Sequence, residues 1–281
     1  MNAITIVRLM RPWQWLKNLM IFFPPLLSGS MVFPGIAVRG FLPFAAFCCA
    51  SSASYIFNDL FDQERDSLHP QKKNRPLPSG QISRTTAALL CVVMLFISIF
   101  LSYRVSIVFL ELVVVYLLII VSYSLLLKNL PIIDIFCISL GFVLRLYGGS
   151  EAFGVPISDW LFLTVFLLAT FLSIGKRYSE RLSLGDSAGK HRYTLGIYPE
   201  GFLEGALYMS GAAVLVTYSI YTISTPHLVY SVPLCMYGLL RYLMRIQSGL
   251  SGDPSESLIK DIPLLMTSFL WVLVVGWSIY R

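Results

Sequence analysis

Charged residues are scarce in this chain. They make up 13% of its 281 residues, about half of what a water-soluble domain carries. With 56% hydrophobic residues and a mean hydropathy of +0.73, a soluble fold is excluded. Strict apolar-polar alternation is also missing, and its absence speaks against a transmembrane β-barrel. No short apolar region near the N-terminus is followed by a small-residue cleavage site, so a cleavable signal is not expected. Repeats, low-complexity tracts and long linkers are absent, which predicts one domain over residues 1–281. Zinc-ligand spacing is absent too. The five cysteines (Cys48, Cys49, Cys91, Cys137, Cys235) lie in apolar runs, and His69, His191 and His227 are scattered, so none is given a function.

What is present is a series of runs near the ~20 apolar residues that cross a bilayer as a helix, the structure that satisfies its own backbone polar groups in lipid. Spans are expected near 19–36, 40–57, 86–103, 106–125, 132–150, 158–175, 202–222, 228–244 and 262–280. Pro24, Pro25 and Pro34 interrupt the first, and Pro43 sits early in the second, where proline kinks or ends a helix. An all-α polytopic membrane protein of about nine transmembrane helices follows.

Placing the N-terminus in the cytoplasm puts 17 of the 21 basic residues on that side: Arg8, Arg11, Lys17, Arg65, Lys72, Lys73, Arg75, Arg84, Lys128, Lys176, Arg177, Arg181, Lys190, Arg192, Arg241, Arg245 and Lys260. The positive-inside rule then sets the orientation, with the C-terminus outside. RLMRPWQWLKN, mixing tryptophan with basic residues, reads as an interfacial helix. Topology and contact with anionic lipid account for part of the net charge of +6.

They do not account for acids among the bases. Residues 58–80 read NDLFDQERDSLHPQKKNRPLPSG, and Asp59, Asp62, Glu64 and Asp66 fall within eight positions. If the second span continues as a helix, Asp59, Asp62 and Asp66 share an arc of roughly 60° beside Asn58, with Asp62 and Asp66 about 6 Å apart along the axis. Adjacent carboxylates repel unless a cation neutralises them. Oxygen-only donors suit Mg²⁺, held by one or two carboxylates plus substrate phosphates. The bland alternative is an acidic helix end paired with Lys72 and Lys73. Arg75 follows in a turn fixed by two prolines and a glycine. Lys17, Lys128, Lys176 and Arg177 stand at other span ends on the same expected side. Singly each reads as a helix-end anchor; together they suggest a polyphosphate pocket. Arg145 lies 11 residues after Asp134, roughly 16 Å deeper along a helix. It either faces the bundle interior or snorkels outward past Gly148 and Gly149. Asp134 is expected to pair with a site lysine or to reach the metal indirectly.

NDLFDQERD, followed by RPLPSG, resembles the first aspartate motif of the UbiA superfamily of intramembrane prenyltransferases, and YSLLLK, ending at Lys128, is similar to its motif at the end of the fourth helix. The resemblance runs nearly end to end. RPWQWLKN, DSLHPQKKNRP, GFVLRLYGG, GKRYSE and SGDPSESLIKDIPLL look closer to the branch that moves a phosphoribosyl group onto a polyprenyl phosphate. Ordinary members carry a second aspartate pair after the sixth helix. Here that position reads GKRYSERLSLGD, with Glu180 and Asp186 but no close pair.

The resemblance implies a helical bundle around a central cavity open to the cytoplasm, in the cell (inner) membrane. It implies Mg²⁺-dependent transfer from 5-phosphoribosyl 1-diphosphate to a polyprenyl phosphate, with pyrophosphate released. Asp59, Asp62 and Asp66 would be catalytic and, with Asn58, would bind Mg²⁺. Lys17, Arg75, Lys128, Asp134, Arg145, Lys176 and Arg177 would contact substrate, with Tyr178 and Glu180 orienting ribose hydroxyls. The alternative is an ordinary prenyltransferase acting on an aromatic or other small acceptor. A transporter would instead show midplane polar groups and an internal repeat. Expected partners are the two substrates and membrane lipids, not nucleic acid; a homo-oligomer is compatible with the sequence.

Overall fold

The computed structural model describes residues 3–32, 34–68 and 72–281. His69, Pro70 and Gln71 of the first polar loop lie outside the described residues. The described residues contain no strand; they form, in chain order, α1 (Ala3–Met10), α2 (Phe23–Leu27), α3 (Ile36–Phe61), α4 (Gln63–Leu68), α5 (Arg84–Val105), α6 (Ile107–Leu125), α7 (Ile133–Phe153), α8 (Asp159–Leu184), α9 (Ala188–His191), α10 (Tyr193–Ile197), α11 (Phe202–Ile223), α12 (Val232–Gln247), α13 (Pro254–Lys260) and α14 (Ile262–Tyr280).

Among the described residues, seven helices are long and apolar enough to cross a membrane, with candidate spans beginning at residues 38, 84, 107, 133, 159, 202 and 262. Two of the nine expected spans differ. The first, near 19–36, is not one helix: Pro12–Phe22 is a 3₁₀-helix, followed by α2 and a 3₁₀ turn at Ser30–Val32. Pro24 and Pro25 remove ladder donors, and Gly29 and Gly35 take left-handed backbone at φ 78° and 87°. The eighth is α12, 16 residues long and preceded by a 3₁₀ turn at Leu228–Ser231. α8 runs nine residues beyond its expected end at 175, so Lys176, Arg177, Tyr178 and Glu180 are helical.

Helix ends follow their caps. The Ser83, Ser106 and Ser158 hydroxyls accept backbone N–H groups that open α5, α6 and α8. Asp253 and Asp261 do the same for α13 and α14. Each supplies an oxygen to donors that the first helical turn leaves without a partner.

The described residues gather into two compact units. One comprises Met1–Phe23, Phe33–Lys128 and Leu144–Val155. Its α3 is rich in small residues, and Ala46, Ala50, Ser51, Ser52, Ala53 and Ser54 are all buried. Small side chains let helix backbones approach closely, the main packing device in lipid. α5 exploits this: Ser98 Oγ donates to the Ala46 carbonyl at 2.9 Å, and Cys91 Sγ to that of Ala53 at 3.4 Å. Phe47 meets Phe109 and Tyr116 edge-on, each at 5.6 Å between ring centroids. The other unit comprises Pro24–Val32, Asn129–Val143 and Pro156–Arg281. Its core gathers Phe171, Ile174, Leu203, Leu207, Val214 and Ile246.

The 3₁₀ stretch Pro12–Phe22 is long, since such runs seldom exceed 3–4 residues. It is tied down along its length in the first unit. Trp15 Nε1 donates to Ser52 Oγ at 3.0 Å, and Ser52 Oγ to the Met10 carbonyl at 2.9 Å. Asn18 Nδ2 donates to Cys48 Sγ at 3.3 Å. At its far end the Ile21 carbonyl lies against Gly149, where any Cβ would overlap the oxygen. Gly149→Ala should therefore displace the stretch and cost about 2 kcal/mol, as overpacking does. Thermal unfolding in detergent checks this, and an unchanged midpoint would refute it.

Candidate active site

The first unit carries the acidic motif. α3 ends at Phe61, Asp62 occupies the cap at φ −96°, ψ 10°, and α4 resumes at Gln63. The Asp62 N–H still donates to the Asn58 carbonyl at 2.9 Å, and the Asp66 N–H to that of Asp62 at 2.8 Å. The expected continuous helix is thus broken at Asp62 but keeps its spacing.

The carboxylates do not form a bare acidic face. Among the described residues, no group of three His, Cys, Asp or Glu side chains is arranged to hold a metal ion. Instead each aspartate has a cation. Arg11 Nη2 donates to both oxygens of Asp59, at 2.5 and 2.6 Å, and Arg75 Nη1 adds a third contact at 3.1 Å. Arg75 Nη1 also reaches Asp66 at 2.5 Å, and Lys72 Nζ stands 3.6 Å from Asp66. Lys128 Nζ donates to Asp62 at 2.6 Å. The pairing expected as the bland alternative is therefore partly present, through Lys72, with two arginines dominating it. The physical reason is that carboxylates withdrawn from water need a neutralising partner.

Arg75 is set by its turn: Leu77 and Ile82 on the same loop are buried with Leu9, Ala53 and Ile56. Burial, followed by the neighbouring Arg11 charge, lowers the Arg75 pKa, while Asp59 and Asp66 oppose the shift. Asn58 is half-buried beside this cluster and Glu64 is exposed. Deeper in the unit, Arg145 is 4% exposed, so it faces inward rather than snorkelling. It donates to Asn18 Oδ1 at 2.6 Å, Tyr116 OH at 3.0 Å and Ser51 Oγ at 3.3 Å, and lies over the Tyr116 ring at 4.7 Å. Lys17 sits half-buried in the 3₁₀ stretch.

The donor set suits Mg²⁺ even without a three-ligand cluster. That ion is held by one or two carboxylates with phosphates and water completing the shell. Asp62 is 19% exposed at its side chain and carries one lysine contact; Asp66 is 6% exposed. These two, with Asn58, fit such a role. Asp59 is 1% exposed, and guanidiniums hold both its oxygens.

The second unit holds another buried ionic cluster. Asp134 is fully buried and accepts from Arg177 Nε at 2.9 Å, Arg192 Nη2 at 3.0 Å and Tyr198 OH at 3.0 Å. Its partners are two arginines and a tyrosine, in place of the expected lysine. Arg177 also donates to Glu180 at 3.0 Å, and Lys176 Nζ donates to Asp253 at 3.2 Å. The loop at 248–261 is pinned by Arg241, which contacts both oxygens of Asp261 at 3.0 and 3.2 Å.

Three of these residues carry little signal in the sequence. Arg11 reads only as topological charge, though it opens RPWQWLKN. Arg192 and Tyr198 lie in HRYTLGIYPEG, a stretch with no spacing that marks them.

Residues 22–273 match the family described as the UbiA prenyltransferase family. The decaprenyl-phosphate phosphoribosyltransferase of Mycolicibacterium smegmatis is 31% identical, over 98% of this chain and 92% of that protein. The protein of the same name from Corynebacterium glutamicum is 29% identical, over 98% and 86%. In three dimensions the chain is similar to a UbiA homolog from Archaeoglobus fulgidus bound to GPP and Mg²⁺, with TM-score 0.75 and 24% identity, over 99% of this chain and 100% of that one. That likeness shows the same fold.

Tyr198 gives this cluster a pH dependence. Burial first, and then the Asp134 carboxylate, push its phenol up to about 12 from an ordinary 10.0. A raised folded value means the contribution is complete below 10.0 and disappears as pH climbs towards about 12. Tyr198→Phe should lose about 1 kcal/mol of stability at pH 7. The gap from wild type should close above pH 10, as denaturant unfolding at several pH values would show; a constant gap would refute it.

Proposed function

Since the chain belongs to the UbiA prenyltransferase family, we propose that this transferase moves the 5-phosphoribosyl group of 5-phosphoribosyl 1-diphosphate onto a polyprenyl phosphate and releases pyrophosphate. The observation that carries this reading is the end of α8. Where an aspartate pair would serve a second metal, it carries Lys176 and Arg177, with Arg177 locked on buried Asp134. Cations there suit two phosphorylated substrates better than one phosphorylated substrate and an aromatic acceptor. The names of the two bacterial relatives agree with this choice.

In the proposed reaction an oxygen of the lipid phosphate attacks C1 of the ribose, the bond from C1 to the diphosphate oxygen breaks, and pyrophosphate leaves with the electron pair. The lipid phosphate is already an anion at neutral pH, so no strong base is needed. Catalysis is then mainly positioning and stabilisation of the leaving charge. Asp62 and Asp66, with Asn58, would hold Mg²⁺, which supplies neutralisation of the departing diphosphate. Lys128 and Arg75 would exchange carboxylate contacts for phosphate oxygens, with arginine suited to a two-pronged grip. Lys17, Lys176 and Arg177 are assigned to the remaining phosphate charge. Tyr178 and Glu180 would orient the ribose hydroxyls. Arg145 would support the site from within through Asn18.

An assay decides between this reading and an ordinary prenyltransferase. Protein in detergent receives Mg²⁺, a polyprenyl phosphate and 5-phosphoribosyl 1-diphosphate. Pyrophosphate and a ribosylated lipid should appear, and chelation of the metal should stop both. Asp62→Asn should lower turnover at least about a hundredfold. No product in this mixture, together with prenylation of 4-hydroxybenzoate from a prenyl diphosphate, would overturn the proposal.

The multi-pass location in the cell (inner) membrane, with a cytoplasmic N-terminus and the site facing the cytoplasm, is supported by the distribution of basic residues. Alkaline phosphatase joined after Arg281 should be active, as that enzyme requires an oxidising compartment to form its disulfides. An inactive fusion would reverse the orientation.

A further inference from the structure

We infer that Asp59 is a positioning residue rather than a metal ligand: it holds Arg11 and Arg75 as a two-guanidinium receptor for the diphosphate, which makes Arg11 a substrate contact. The inference rests on the diphosphate chemistry proposed above, but not on which group is transferred.

The first support is how the Asp59 oxygens are used. Both accept from Arg11 Nη2, one of them also from Arg75 Nη1, and the carboxylate is 1% exposed. A metal would have to displace a guanidinium already in close contact, at the cost of leaving that charge poorly solvated. Asp62, by contrast, is the more exposed carboxylate and is held by a single flexible lysine.

The second support is the backbone of Arg11. It lies at φ 54°, ψ 59° between α1 and the 3₁₀ stretch, a left-handed conformation that costs a non-glycine residue about 1 kcal/mol. Two contacts from α3 hold it there: the Asp59 pair and the Tyr55 ring, 5.2 Å from the guanidinium carbon. Nothing about a topological anchor requires a strained backbone. Such strain persists where surrounding contacts over-determine the position, as the Asp59 and Tyr55 contacts do for this guanidinium.

The third is the sharing of cations. Arg75 spans Asp59 and Asp66, so Asp59 joins the two arginines into one unit. Arg11 is 16% and Arg75 27% exposed at the side chain, which leaves both within reach of a solute. Guanidiniums ordered in this way lose little freedom when they meet phosphate oxygens.

The test is titration of inorganic pyrophosphate into wild type, Asp59→Asn, Arg11→Ala and Asp62→Asn, with and without Mn²⁺. Pyrophosphate is a product of either transfer reaction, so the result stands apart from the outcome of the transfer assay. Asp59→Asn and Arg11→Ala should each weaken pyrophosphate binding about tenfold, the loss of a charge-assisted contact, while keeping the tightening that Mn²⁺ confers. Asp62→Asn should lose that tightening. In turnover, Asp59→Asn and Arg11→Ala should raise KM for the diphosphate substrate more than they lower kcat. If Asp59→Asn loses the Mn²⁺ effect as Asp62→Asn does, Asp59 is a ligand and the inference fails. If Arg11→Ala binds pyrophosphate as wild type does, it fails as well. Should Asp59→Asn not fold, Arg11→Ala alone decides.

Discussion

A carboxylate removed from water in so apolar a chain has to meet a cation, and the ionic cluster of each unit is built around that requirement. Burying an isolated charge is far costlier than burying a paired one. Asp59 meets Arg11 and Arg75, Asp62 meets Lys128, Asp134 meets Arg177 and Arg192, and Asp261 meets Arg241 and Arg245. Most of these pairs join distant parts of the chain. These ion pairs therefore decide which segments lie together within each unit, so residues proposed to meet phosphate double as tertiary fasteners.

The stretch from Arg11 to Ile21 depends on this most. From Pro12 its 3₁₀ winding advances about 2.0 Å per residue against 1.5 Å for an α-helix, so Trp15, Asn18 and Ile21 are spread further along the unit than an α-helix would allow. Ser52 receives Trp15, Cys48 and Arg145 both meet Asn18, and Gly149 lies against Ile21. The ion pair at Asp59 fixes one end and the close approach at Gly149 the other.

Long apolar runs made most of the fold legible. The spans expected at 202–222 and 262–280 coincide almost residue for residue with α11 and α14, because hydrophobic run length is a direct signature of a bilayer-crossing helix. The 3₁₀ stretch was not legible, since hydropathy does not distinguish i+3 from i+4 hydrogen bonding. Of the site, Asp59, Asp62 and Asp66 were visible as a cluster, but of their partners only Lys72 was named. Arg11 and Lys128 lie 48 and 66 positions away from the aspartates they neutralise, a separation that helical spacing cannot bridge. Arg145 could be read as intramembrane, while its inward direction became clear only from Asn18 and Tyr116. Arg192 and Tyr198 had no motif to mark them; buried Asp134 is what reveals them.

Ser106 joins α5 to α6 with a single residue: its N–H closes the last turn of the first helix at 3.2 Å, and its hydroxyl opens the second at 3.0 Å. So short a hairpin has no slack. Neither helix can slide lengthwise or turn independently of the other, and the pair is fitted to entering the bilayer as one piece during biosynthesis. The first unit thus acquires a ready-made helical hairpin against which α3, carrying the aspartates at its end, can be seated.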